Sequence, residues 1–341
     1  METLNEKGKG KGKVIRNAVF WPSMIIVLAF VIASAISPNG VGDVVTDLWY
    51  RAANAWGWSF EMITFLCFVF AIVLVIGKYG DIVIGGKDAK PKFKTWNWVT
   101  MSICSCVGTG LLFWAMGEPI YHYFAPAGAS GLKGETPESA IWALAEAMTE
   151  WSFYQYAMYA LVGVAFAVVL HNYKKPLSVR PLVDLTFKRN RSLITNIIYL
   201  ILVVIMVLTV GCTMGVGILQ ISAGIENVSG VSQSTMVYLI VAIGITCVFL
   251  LSCLSGIHKG LTKLSSWTII AFIGVMLFVL VMGPTEYIAK IGTQAFGDML
   301  SNFPSKLFIL NSQDSSDTWH ADWMPCILVP LSFSHRFWEC S

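Results

Sequence analysis

The stretch Cys104-Ser-Cys-Val-Gly108-Thr109-Gly110-Leu-Leu-Phe-Trp114-Ala-Met-Gly-Glu118-Pro119 lies in a run apolar enough to cross a bilayer, yet it is poorly suited to an unbroken helix. Two glycines flank Thr109, and glycine both weakens a helix and lets backbones open or approach closely. In secondary transporters, interrupted helices of this kind mark the substrate and ion site. In any membrane bundle, small residues also let two helices pack tightly. The pattern suits both readings, so Gly108, Thr109 and Gly110 are candidates for a helix break and ion path, with helix packing as the alternative. Glu118-Pro119 is expected to end the span at the outer surface, where a carboxylate costs little.

Outward from this stretch, the chain has 341 residues, of which 56% are hydrophobic and only 13% charged. A soluble domain carries roughly 25% charged residues. Seven apolar spans can be marked, at residues 20–36, 57–77, 96–116, 142–170, 193–222, 235–254 and 267–282, each of a length suited to a bilayer. The connections alternate in charge without a break. Counted as Lys and Arg, the N-terminal tail and the loops after spans two, four and six hold 18, and the loops after spans one, three, five and seven hold 4. By the positive-inside rule the N-terminus is expected to be cytoplasmic and the protein to be a multi-pass protein of the cell membrane. The net charge of +3 matters less than this distribution.

The basic N-terminus, Lys7-Gly-Lys-Gly-Lys-Gly-Lys13, is expected to be flexible and to act in topology or lipid contact rather than in nucleic-acid binding. Eight cysteines follow neither a zinc spacing nor a disulfide framework. No phosphate loop, HExxH, nucleophile elbow or Rossmann fingerprint is present, so no enzyme activity, cofactor or metal site is expected.

The fourth span contains Trp151-Ser-Phe-Tyr-Gln-Tyr156-Ala-Met-Tyr159. On a continuous helix at 100° per residue, the rings of Trp151, Tyr156 and Tyr159 fall at about 0°, 140° and 80°, within less than half the circumference. Such a wall suits a cation that cannot donate strong hydrogen bonds, and a quaternary ammonium is that ligand. The competing reading is an aromatic stripe used for packing or for an interfacial belt. Glu146 and Glu150 precede the wall. Acid groups inside a span default to function, a default weakened where they lie near the outer interface. Beyond span seven, Phe296, Met299, Leu300, Phe303, Leu307 and Phe308 recur at spacings that suit an amphipathic helix on the outer membrane surface.

Taken together, Gly108-Thr-Gly-Leu-Leu-Phe-Trp-Ala-Met-Gly-Glu-Pro119-Ile-Tyr-His-Tyr123 resembles the third helix of the betaine/carnitine/choline transporter family. The spacing of Trp151, Tyr156 and Tyr159 resembles that family's aromatic box. Val216-Gly-Ile-Leu-Gln-Ile221 and Ser255-Gly-Ile-His-Lys-Gly-Leu-Thr-Lys-Leu-Ser265 are similar to its fifth helix and its sixth-to-seventh connection. The resemblance implies an all-α polytopic fold of twelve helices, in which two leading helices precede five-plus-five inverted repeats. It implies secondary transport, by symport or antiport, of glycine betaine, carnitine or choline, and assembly as a homotrimer. In those terms, residues 1–17 form a basic cytoplasmic tail, 18–95 two leading helices and their loop, 96–284 the first repeat, 285–323 an extracellular amphipathic segment, and 324–341 an aberrant tail.

Three departures qualify this reading. Tyr156 stands where several family members carry tryptophan. Cys106-Val-Gly-Thr-Gly110 replaces the Gly-Met-Gly-Ile-Gly run of sodium-coupled members, with Met206 and Val210 in place of threonines, and Thr262 stands where sodium-independent carnitine exchangers carry arginine. After Asp322-Trp323 the tryptophan-rich start of the family's eighth helix is lost, and Met324 to Ser341 contains Pro325 and Pro330. These last features set the expectation of a frameshifted tail and a missing second repeat. On that expectation the chain is inactive alone, or, alternatively, is a non-transporting fragment or a subunit that needs a second half.

Overall fold

The computed structural model describes residues 6–107, 110–176, 179–186, 192–254 and 260–308. Among these residues every regular element is helical. In chain order they are α1 (Glu6–Ile36), α2 (Pro38–Ile76), α3 (Thr95–Val107), α4 (Gly110–Phe124), α5 (Pro137–Glu150), α6 (Phe153–His171), α7 (Val179–Thr186), α8 (Ser192–Ser229), α9 (Thr235–Leu254), α10 (Thr262–Met282), α11 (Thr285–Ser301) and α12 (Phe303–Leu307).

Among the described residues, five segments are long and apolar enough to cross a membrane: Val19–Ile36, Pro38–Ile76, Leu193–Ser229, Thr235–Ser252 and Thr262–Met282. These answer spans one, two, five, six and seven. Span four differs, because it is two shorter helices, α5 and α6, and span three is described as α3 and α4 on either side of residues 108–109, which lie outside the described residues. The helices also run further than hydropathy alone marks out. The basic stretch expected to be flexible is helical from Glu6, since extending a formed helix is far less costly than nucleating one. The connection expected before span two is helical from Pro38, where proline's fixed φ suits a first turn, and Asp47 and Arg51 pair across one turn at 2.9 Å. At 39 and 38 residues, α2 and α8 are each nearly 60 Å long and exceed the hydrocarbon thickness.

The distribution of side chains is the reverse of a water-soluble protein's. Apolar residues such as Phe249, Leu251, Phe278 and Val281 are exposed. The largest fully buried side chains are His122, Glu118, Glu146, Thr64, Thr100, Thr149, Ser139 and Ser222, all of them polar. Hydrocarbon accepts the first group without penalty and gives the second nothing to bond to, so the polar groups turn inward.

Helix pairs are joined by these inward polar groups. On the α2–α6 seam the Thr64 hydroxyl meets Met158 Sδ at 3.8 Å, and beyond the helix ends the Gly85 amide donates to Asn172 Oδ1 at 2.7 Å. Between α3 and α10, Thr100 and Ser266 hydroxyls lie 3.3 Å apart, and Cys104 Sγ donates to the Ser265 carbonyl at 3.6 Å. α1 packs along α8, and α5 packs between α4 and α11.

That last arrangement places the site. α4 and α5 form an antiparallel hairpin clamped at its turn. Thr136 caps α5 with a reciprocal pair of bonds, Ser139 amide to Thr136 Oγ1 at 3.1 Å and Thr136 amide to Ser139 Oγ at 2.9 Å. Pro137 follows at the first helical position. The Glu135 amide returns to the Tyr123 carbonyl at 3.0 Å, which fastens the start of α5 to the end of α4. Gly134 lies so close to the Phe124 carbonyl that a Cβ there would collide with it.

Candidate functional site

Two helix faces meet across this hairpin. On α4, Glu118 and His122 are four residues apart and share a face, as Glu146 and Glu150 do on α5. The four side chains are between 0 and 7% exposed. Glu118 was expected at the outer end of its span. Instead α4 continues through Pro119 to Phe124, and Glu118 is buried. Proline removes one helical donor without ending the helix, and the carboxylate is retained inside because it has partners there.

The first partner is Trp151, whose indole Nε1 donates to Glu118 Oε2 at 2.6 Å. His122 Nε2 lies 3.8 Å from Glu118 Oε1 and 4.0 Å from Glu150 Oε1. The donor atoms of Glu118, His122 and Glu150 all fall within 4.8 Å of one another, so these residues could hold a metal ion. A second group lies alongside. Lys306 of α12 pairs with Glu146 Oε2 and Asp298 Oδ2, each at 3.2 Å, and its ammonium sits 4.8 Å from the centre of the Trp142 ring. His122 approaches the same ring edge-on at 5.8 Å. Trp142 thus touches both the ammonium and the imidazole. Together these contacts gather four carboxyl groups and one ammonium in a low-dielectric setting.

Trp151 stands at the end of α5, not within a continuous fourth helix. Its amide bonds back to the Ala147 carbonyl, Ser152 is extended, and α6 starts at Phe153. The Ser152 hydroxyl donates to the Thr149 carbonyl at 3.0 Å, a local bond that competes with helix continuation. The helical-wheel argument therefore does not carry across the break between Trp151 and the two tyrosines. The Tyr156 and Tyr159 rings do lie together on α6, with centroids 6.1 Å apart and planes at 42°, and Tyr159 is 49% exposed. Trp151 packs instead on the cluster of Trp114, Ala127 and Trp142, with Tyr121 and Leu132 beside it.

Of the helix-break candidates, Gly108 and Thr109 lie outside the described residues, and Gly110 is the first residue of α4. The connection at 255–259 and the segment from 309 onward also lie outside them. The amphipathic stripe after span seven is divided: Met299 and Leu307 are buried, Phe303 and Met299 pack with Ala145 and Met148 of α5, and Phe296 and Leu300 remain exposed. Sequence reasoning missed Lys306 and His122 altogether. The available signal was the pair of i,i+4 polar couples, Glu118 with His122 and Glu146 with Glu150, each embedded in apolar helix.

These features define a class: an all-helical, multi-pass membrane protein whose polar centre is built between α4 and α5, where the fourth span is interrupted. The chain belongs to the betaine/carnitine/choline transporter family, whose sequence model matches residues 18–326. Among similar proteins, the glycine betaine transporter OpuD of Bacillus subtilis is 30% identical over 90% of this chain and 60% of its own length. The ectoine/hydroxyectoine transporter of Virgibacillus pantothenticus is 28% identical over 91% of this chain and 61% of its own. The osmo-dependent choline transporter BetT2 of Acinetobacter baylyi is 26% identical over 91% and 45%. The chain spans about half the length of the curated relatives it matches.

Proposed function

We propose that this chain serves secondary transport of quaternary-ammonium solutes, glycine betaine, carnitine or choline, across the cell membrane, with its N-terminus in the cytoplasm. The family membership is the observation that carries this reading. Two features of the site support it. Tyr156 and Tyr159 offer adjacent ring faces, which attract a trimethylammonium group without asking it to donate a hydrogen bond. The cluster of carboxyl groups at Glu118, Glu146 and Glu150 favours a cationic group nearby. Trp151 joins the site as a ring anchored through Glu118, and its aromatic face is the third binding surface. Assembly as a homotrimer and contact with membrane lipid belong to the same proposal, as does the absence of enzymatic activity.

The test is uptake of labelled glycine betaine, carnitine and choline by vesicles containing this polypeptide, against empty vesicles. Saturable uptake of at least one solute, inhibited by the others, supports transport by this chain and overturns the expectation that it is inactive without a second half. Uptake equal to that of empty vesicles for all three contradicts transport by this chain.

A further inference from the structure

The geometry points to a divalent transition-metal site at Glu118, His122 and Glu150, an assignment independent of the transport reading. The three side chains come from two helices locked together by the capped turn between α4 and α5, and none is more than 7% exposed. The imidazole Nε2 faces both carboxylates, at 3.8 and 4.0 Å. Those separations are too long for hydrogen bonds. They are close to what a shared ion needs, since bonds of about 2.0–2.2 Å at tetrahedral angles set donor atoms about 3.4 Å apart. The two histidine–carboxylate separations would need to contract by about half an ångström, and the set as a whole, grouped within 4.8 Å, by up to about 1.4 Å.

Two further observations direct the site toward a cation. Among the described residues, Glu118 Oε1 and Glu150 Oε2 are buried and accept no hydrogen bond. The Lys306 ammonium is engaged by Glu146 and Asp298, each at 3.2 Å. Two carboxylates with a neutral imidazole carry two negative charges, which a divalent ion neutralises. Imidazole as a ligand favours zinc, cobalt or nickel over manganese, calcium or magnesium. The Trp151 indole holds the second oxygen of Glu118 at 2.6 Å, as supporting hydrogen bonds commonly orient ligating carboxylates.

The full chain, purified in lipid nanodiscs and stripped with chelator, would be titrated with Zn²⁺ and with Co²⁺. One ion per chain is expected, with cobalt d–d bands and no strong thiolate charge-transfer band. Glu118→Gln and His122→Gln should each weaken binding at least tenfold, whereas Glu286→Gln, at an exposed surface pair, should not. The melting temperature of the unsubstituted chain should rise with Zn²⁺. If either substituted chain fails to fold, the stoichiometry and cobalt spectrum of the unsubstituted chain decide. Absence of stoichiometric uptake by folded chain, the result if the carboxylates share a proton instead, overturns the proposal. So does uptake with a thiolate spectrum, or uptake unchanged by both substitutions.

Discussion

Trp151 shows how far a single residue can be read from its neighbours in sequence. The ring itself was legible, since tryptophan followed by two tyrosines in an apolar run is an unusual concentration of π faces. Its setting was not, because the partner that orients it, Glu118, lies 33 residues away. On the proposed function, Trp151→Leu should weaken binding of a quaternary ammonium by about 1 kcal/mol, roughly fivefold in Kd, as measured by equilibrium binding. Unchanged affinity would remove Trp151 from the site. Lys306 carries a separate prediction about stability. Its ion pair with Glu146 is almost wholly buried on both sides, and removing one partner leaves uncompensated charge. Lys306→Met should therefore cost about 3–5 kcal/mol, read from denaturation in detergent, and adding Glu146→Gln should recover part of that loss. A double variant no more stable than the single one would show that the pair is not coupled. Nothing in the spacing marked Lys306, which sits in an amphipathic segment where a lysine reads as solvated.

At the scale of elements, hydropathy located the spans but not the break in the fourth. Five expected spans are single long helices, and hydroxyls within them, such as Thr64, Thr213, Thr246 and Thr268, bond the carbonyl four residues back without breaking the helix. The fourth divides at Trp151–Ser152, where one hydroxyl captures a carbonyl. A serine in an apolar run does this only when its rotamer and the packing allow, which is why periodicity drew a straight helix through it. The antiparallel α4–α5 hairpin depends on its turn. Thr136→Ala removes the side chain that caps α5 and should cost about 1 kcal/mol. Gly134→Ala, which forces a Cβ against the Phe124 carbonyl, should cost more. Thermal unfolding of both variants checks this order, and a Gly134→Ala chain as stable as the original would mean the turn is looser than described.

For the whole molecule, the balance of polar and apolar residues made the membrane-embedded, all-helical architecture legible, and the glycine-to-proline stretch with the aromatic spacing made the family legible. The buried charge at the centre was not, since burial is a property of helices packed together. Coupling ions are a whole-molecule property too. Met206 and Val210 are 60% and 55% exposed and supply no oxygen, and the Thr262 hydroxyl lies 3.4 Å from Met101 Sδ. A hard cation prefers oxygen ligands. Any uptake should therefore persist when sodium is replaced by potassium at fixed ionic strength and membrane potential, and a steep rise with sodium would refute that expectation.

The central claim, recognition of a quaternary-ammonium group by ring faces, is tested most directly by equilibrium binding of labelled glycine betaine, carnitine and choline to the purified chain in nanodiscs, alongside a chain carrying both Tyr156→Leu and Tyr159→Leu. The account predicts saturable binding of at least one solute to the original chain, competed by tetramethylammonium and weakened at least tenfold by the double substitution. Saturable binding that is indifferent to both rings, or no binding of any of the three solutes by the folded chain, would contradict it.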